Sequence, residues 1–369
     1  MGSYTGGAVM RAWLPTGLLA LALLPGVALA LEITNVSHAP AAFDPTKRSA
    51  EIRFRLSEPA RVVVRIFDGR DLLIREVPPA KTLEAGDQKL SWDGRDERGR
   101  PVPPEAYVYT LTATSASGEV VEHDLTDLSG DEALAPPIAR WDATAQSIHY
   151  ELPSNARVNI RAGLANSGPL LRTVIDWVAR GAGPHAEPWD GKDESGLVDA
   201  SRNPDLQIVA QAWALPKNAI IVLPEGPSVQ LIEKLDWPET RRAKKKSARL
   251  RERALDQQPI GRRGDVRIHL SVPEKFGRDP GGVPIARGKV EIQLDVDPSD
   301  RARLVEQRFE VGFFLDGKHI FENELGFLPM TWVWDAGAVN GGVHYVTGNV
   351  WGYAGQFGTT TIAIRVPPN

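Results

Sequence analysis

Cysteine is absent from the 369 residues. That absence excludes disulfides, thiolate metal sites, a cysteine nucleophile and a lipidated cysteine anchor. A dominant charge sign is lacking too. Forty-three Lys and Arg against 47 Asp and Glu leave a net −4, too close to balance for nucleic acid to be the partner of the whole chain. Histidine is sparse, and His38, His123, His149, His185, His269, His319 and His344 show no metal-ligand spacing such as HExxH. There is no G-x-S-x-G elbow, P-loop or dinucleotide fingerprint. No local feature recommends a carboxylate pair for glycoside hydrolysis. The sequence therefore assigns no catalytic residue, metal or cofactor, and the chain reads as not an enzyme.

Long apolar runs are confined to the N-terminus. Arg11 precedes WLPTGLLALALLPGVALA, which Pro15 and Pro25 interrupt and which ends in the small-x-small pattern Ala28-Leu29-Ala30. Residues 1–30 are expected to be a signal peptide, with Leu31 the first mature residue and no transmembrane segment after cleavage; the competing reading is an uncleaved anchor. Hydrophobic content of 42% and charged content of 24% suit folded domains. Without disulfides these must rest on hydrophobic cores, which three domains of about a hundred residues each can supply.

What is present is a repeat. LSWDGRDERG, from Leu90 to Gly99, returns 97 residues later as EPWDGKDESG. Upstream, EIRFRLSEPARVVVRI (51–66) aligns with SIHYELPSNARVNIRA (147–162). Ile52, Phe54 and Leu56 match Ile148, Tyr150 and Leu152 at period two, the pattern of a half-buried strand. Ser57-Glu58-Pro59 and Pro153-Ser154-Asn155 read as turns before a second strand. Leu-Leu, Ala-Gly and WDGxDxxG then follow in both copies, and PEAYVYTLTA and PDLQIVAQAWA supply further strands. Such spacing without an amphipathic helix predicts antiparallel β-sandwiches. In the repeated string, Trp92 and Trp189 suit the plugging of a sandwich end. Asp93 and Asp190 suit a backbone-bracing turn, with Asp96 and Asp193 bracing the same loop. Gly94, Gly99, Gly191 and Gly196 suit positive φ.

This succession resembles the immunoglobulin-like domain of the bacterial flagellar hook-capping protein, over roughly 45–115 and more loosely 140–222. The second copy departs from the pattern with Pro204-Asp205-Leu206 in place of G-x-Y before its last strand. The resemblance implies an architectural motif and tandem modules in an exported bacterial protein of the periplasm or cell surface. A hook cap itself is not implied, because the N-terminus reads as a secretory signal.

The remaining chain divides in two. From Trp237 to Arg263, ten Lys or Arg face three Asp or Glu. Asp236-x-x-Glu239 resembles a capping box and Pro259-Ile260-Gly261 a stop, so a basic helix is expected. It reads either as a solvated connector or, through Arg241, Arg242, Lys244, Lys245, Lys246 and Arg249, as a contact for an acidic partner. Beyond Val266, KVEIQLDV alternates, Asp316-Gly317 marks a hairpin and TTTIAIRV closes the chain. Trp332-x-Trp334-Asp335 reads as a degenerate echo of the repeated Trp-Asp. Asp295, Asp297 and Asp300 read as an exposed acidic turn. Trp332 and Trp334, with Trp351 and Tyr353 at the same spacing, suit a stacking platform for sugar rings if they face outward and a core if they face inward.

The expected fold is all-β: tandem immunoglobulin-like β-sandwiches with one basic helical connector. The units are a signal peptide (1–30), domain 1 (31–126), domain 2 (133–228), a basic helical linker (229–264) and a divergent domain 3 (265–369). The expected function is a non-enzymatic exported scaffold or assembly factor with a cell-envelope or extracellular protein partner. The alternative is a carbohydrate-binding module with a polysaccharide partner; no nucleic acid partner is expected.

Overall fold

The computed structural model describes residue 2 and residues 30–79, 81–126, 128–223, 264–306, 308–353 and 355–368. The signal-peptide segment and the basic linker, with Arg241, Arg242, Lys244, Lys245, Lys246 and Arg249, lie outside the described residues. The fold is a tandem of immunoglobulin-like β-sandwiches.

The first sandwich has one sheet in the order β1 (Ile33–Ala39), β3 (Ala50–Leu56), β6 (Gly86–Trp92). Period two sets its faces. Ala50, Ile52, Phe54 and Leu56 are buried while Arg53 and Arg55 face solvent. On the solvent face Glu51 takes both Arg53 (2.6 Å) and Lys89 (2.8 Å), and Arg55 meets Asp87 at 3.0 Å. The facing sheet contains β2 (Ala42–Phe43), β4 (Ala60–Phe67), β5 (Leu73–Val77) and β7 (Ala106–Ser115), with β8 (Val120–His123) paired to β7.

One strand of that sheet comes from elsewhere. β15 (Ala219–Val222), which the sequence reading placed in domain 2, pairs antiparallel with β7 and parallel with β2. The sheet order is therefore β2-β15-β7-β4-β5. The physical reason is that AIIV is apolar on both faces, so it needs cover on both. Ile220 and Val222 enter the first core. Ala219 packs with Phe67 and Val108, and Ile221 with Ala106 and Ala179.

The second sandwich opposes the sheet β13 (Gly183–Pro188), β10 (Ser147–Leu152), β9 (Arg140–Asp142) to the sheet β12 (Leu170–Arg180), β11 (Ala156–Leu164), β14 (Leu206–Ala214). The third opposes β16 (Ile268–Ser271), β17 (Lys289–Val296), β20 (Met330–Asp335) to β19 (Lys318–Asn323), β18 (Phe309–Leu315), β21 (Gly342–Gly352), β22 (Phe357–Val366). Asp316 and Gly317 take φ of 48° and 82° at the β18–β19 hairpin, the handedness that matches strand twist. Each sandwich has its own buried apolar cluster.

The acidic turn at Asp295–Asp300 is instead the entry to α1 (Pro298–Val305). Asp297 caps it, accepting from the Ser299 amide at 2.9 Å, with Pro298 in the first turn. Asp295 pairs with Arg301, and Asp297 and Asp300 both lie against Arg267. These carboxylates are occupied by arginines rather than gathered for a cation.

Candidate functional site

The repeated string builds the same loop twice. Trp92 is 1% exposed, its Nε1 donates to the Arg95 carbonyl at 3.0 Å, and it meets Phe43 and Tyr107 edge-on. Trp189 donates to the Lys192 carbonyl at 2.9 Å and packs edge-on against Trp141. Asp93 and Asp190 accept from the amides of Arg95 and Lys192, two residues on. Gly94 and Gly191 have φ of 73° and 77°, and a Cβ there would fall 2.8 Å from Pro45 and 2.6 Å from Ser201. Gly99 and Gly196 also sit at positive φ. These are the demands of a tight plug rather than of a reaction.

A third copy went unread in the sequence. GRDPGGVPI (277–285) repeats the first loop's backbone hydrogen-bond scheme: the Asp279 amide donates to the Val283 carbonyl, the Gly282 amide to that of Asp279, and the Ile285 amide to that of Gly277. The first loop makes the same bonds at Asp96–Arg100, Gly99–Asp96 and Val102–Gly94. Its signal was the shared G-x-D-x-x-G spacing. The Trp-Asp anchor is replaced by Lys275-Phe276, and the loop comes before β17, early in its unit, whereas the other two come before β7 and β14, late in theirs. Asp335, in the expected echo, does accept from Gly337 two residues on, but the full loop is at 277–285.

The second loop departs from the other two: its closing hydrogen bonds run one residue longer, from the Asp193 amide to the Val198 carbonyl and from the Ala200 amide to the Gly191 carbonyl, and its aspartate is left with an unpartnered oxygen. Asp96 Oδ1 accepts the amides of Arg98 and Arg100, and Oδ2 takes the Arg100 guanidinium at 2.6 Å. Asp279 Oδ1 accepts Gly281 and Val283, and Oδ2 takes Arg365 at 2.6 Å. Asp193 Oδ1 accepts Leu197 and Val198, but its buried Oδ2 has no hydrogen-bond partner. Leu197 is at the sequence position of Arg100, four residues after the aspartate, while Val198 takes the backbone place of Arg100 in the longer loop.

The sandwiches meet at two joints. At the first, β15 is shared as described, and Asn218, fully buried, donates to the Tyr109 carbonyl (2.7 Å) and to Thr126 (3.0 Å). Arg157 of β11 pairs with Glu105, beside β7, at 2.5 Å with both groups buried. At the second joint Asn349 of β21 grips the backbone of Leu170. Its Oδ1 accepts the Leu170 amide and its Nδ2 donates to the Leu170 carbonyl, both at 2.9 Å. Ser195 accepts from the Thr361 amide at 2.8 Å. Arg161 reaches Asp265 at 3.0 Å and lies over the Phe357 ring.

The aromatic platform does not form. Trp334 is 5% exposed within the third core, and Trp332 stacks on Phe313 and Phe321. Both face inward because β20 alternates across its sheet. Trp351, on the opposite sheet, is half-buried over Gly312 and edge-on to Phe314. Tyr353 is the exposed member, bonded to Glu310.

The buried Glu187 is satisfied within the second sandwich. Burial pushes the Glu187 carboxyl up, but Arg180 at 2.7 Å and Tyr150 at 2.9 Å hold it below its ordinary range. Among the described residues no three His, Cys, Asp or Glu gather to hold a metal, and no helix is long and apolar enough to cross a membrane.

The loops and the sheet order define a tandem immunoglobulin-like protein. Residues 41–117 match the family model described as FlgD Ig-like domain, in agreement with the resemblance carried by the first repeat. No curated protein matches the chain. Among solved structures, the chain is similar to the fibronectin(III)-like modules of CbhA from Clostridium thermocellum, at 12% identity, 91% of this chain, 95% of that chain and a TM-score of 0.20. It is also similar to a tetra-tandem repeat from the extending region of a large adhesion protein, at 15% identity, 91% and 74% coverage and a TM-score of 0.20. A 1.5-MDa bacterial ice-binding adhesin matches at 11% identity, 92% and 99% coverage and a TM-score of 0.18. Values this low carry no functional argument.

Proposed function

We propose that this chain is a non-enzymatic structural or interaction protein, exported by a bacterium to its periplasm or surface, that holds partner-binding surfaces at fixed spacing. The observation that carries this reading is the shared strand. β15 lies between β2 and β7 with all four residues buried, so the first two sandwiches have no free hinge between them. Plug-like loops and the arginine-paired Glu105, Glu187 and Asp279 support a role in display rather than in chemistry. The partner is a cell-envelope or extracellular protein.

The test is a cross-linked pull-down from the source envelope, with the mature chain and with a variant lacking residues 239–258. Capture of one defined protein set by both is the expected outcome. Capture lost with the deletion moves the function onto the basic segment. Retention of polysaccharide without protein, or turnover of a substrate by the isolated chain, overturns the proposal.

A further inference from the structure

The two joints are chemically unlike. At the first, a strand that follows the second repeat is built into the first sheet and a single ion pair, Arg157–Glu105, is fully buried; the second is built from side-chain hydrogen bonds around a pair of carboxylates. Asp265 Oδ1 accepts from Arg161, and Oδ2 takes a short hydrogen bond from the Thr173 hydroxyl. Asp176 stands close enough to repel it. Asp176 itself accepts from the Gly264 amide at 2.6 Å and from Asn159 at 3.2 Å. The charged groups around them are Arg161 on β11, Asp176 on β12 and Arg303 on α1. Arg303 donates to the Gly264 carbonyl and has Asp300 at 3.7 Å, and Asp300 also meets Arg267. Arg161 divides its terminal nitrogen between Asp265 and the Gly355 carbonyl, while its Nε is buried without a hydrogen-bond partner. Arg161 thus compensates Asp265 incompletely, while the neighbouring Asp176 is held by the Gly264 amide and Asn159 rather than by a guanidinium of its own.

We propose that the second joint is proton-gated: the third sandwich docks on the second more tightly as pH falls below neutral, because Asp265 takes up a proton between Asp176 and Thr173. This goes beyond the display reading and stands or falls apart from it. Burial first, and then the Asp176 charge, push the Asp265 carboxyl up to about 6 against an opposing pull from Arg161. The docked state therefore binds more protons than the undocked one. The stabilisation is fully present below the ordinary carboxylate value of 3.8 and is lost as pH rises through about 6. Asp265 keeps 25% of its side-chain surface open to solvent, which screens these interactions. The expected change in docking constant between pH 7.5 and 5 is accordingly up to about tenfold.

The reporter is the Leu170 amide, which donates across the joint to Asn349. Its hydrogen-exchange protection in the full chain, corrected for the intrinsic pH dependence, is expected to rise up to about tenfold from pH 7.5 to pH 5. In Asp265→Asn the rise is expected to vanish. Protection that is flat or falls with acid in the wild type, or that still rises in Asp265→Asn, overturns the proposal. Should that variant fail to fold, Thr173→Val serves instead. Withdrawing the hydroxyl from the carboxylate is expected to move the midpoint to higher pH, and an unmoved midpoint overturns the proposal equally.

Discussion

Ile220→Ala tests the shared strand directly. Ile220 follows the whole second repeat in the chain, yet its side chain is fully buried in the first core with Phe43, Trp92 and Tyr107. The strand is paired on both sides, and the Ile221, Val222 and Leu223 amides are held by the carbonyls of Ala41, Glu105 and Phe43. Asn218 pins its start. A cavity opened there cannot close by sliding the strand, so the cost belongs in the upper part of the range for such truncations, about 3–5 kcal/mol. Three of those kilocalories correspond to a protection loss of over a hundredfold, at about 1.4 kcal/mol per decade. Native-state hydrogen exchange on the full chain reads it. The β3 and β4 amides of the first sandwich are expected to lose protection together with β11 of the second, as one cooperative block. A loss confined to β10–β14, or a first-sandwich effect below about 0.5 kcal/mol, the size of an ordinary surface change, refutes the reasoning.

Three further substitutions follow from the geometry. Leu197→Arg supplies the second loop with the guanidinium that Arg100 and Arg365 supply to the others, and is expected to stabilise by about 1 kcal/mol in thermal or urea unfolding. Glu105→Gln leaves the buried Arg157 charge poorly compensated and is expected to cost about 3 kcal/mol, read by urea unfolding of the first joint. Trp334→Ala empties a core position and is expected to cost the third sandwich about 3–5 kcal/mol, with loss of its near-ultraviolet circular dichroism. A folded Trp334→Ala domain with a selective loss of glycan affinity would instead restore the aromatic platform.

The sequence made legible those parts of the fold that follow local rules. β3 and β10 were readable because their partners on one face are core and on the other water, which writes period two into the chain. The first two loops were readable because they repeat letter for letter at Trp-Asp-Gly. The helix α1 had its signals in plain sight, an Asp cap followed by Pro, but lay inside a run that also reads as an acidic turn. The third loop was hidden by loss of the aromatic anchor and by its earlier place in the unit. The pairing of β15 could not be read at all. A four-residue run apolar on both faces announces a strand covered on both sides, but not whose sheet it enters. Asn349 and Asp265 carry no periodic signal, since contacts across a joint depend on how whole units pack.

The contrast between the joints also limits where motion can occur. Opening the first uncovers Ile221 from Ala179 and strands the buried Arg157–Glu105 pair, while the chain leaving the second sandwich stays tied into the first through β15. Opening the second breaks the Asn349, Ser195 and Asp265 contacts, but among the described residues no strand ladder crosses it. Each polar group released there can be met by water. Of the two joints, the second is therefore the one whose opening costs less buried charge and apolar contact. That place is also where the carboxylate pair stands, so a proton taken up at Asp265 bears on the spacing between units and leaves the fold of each intact.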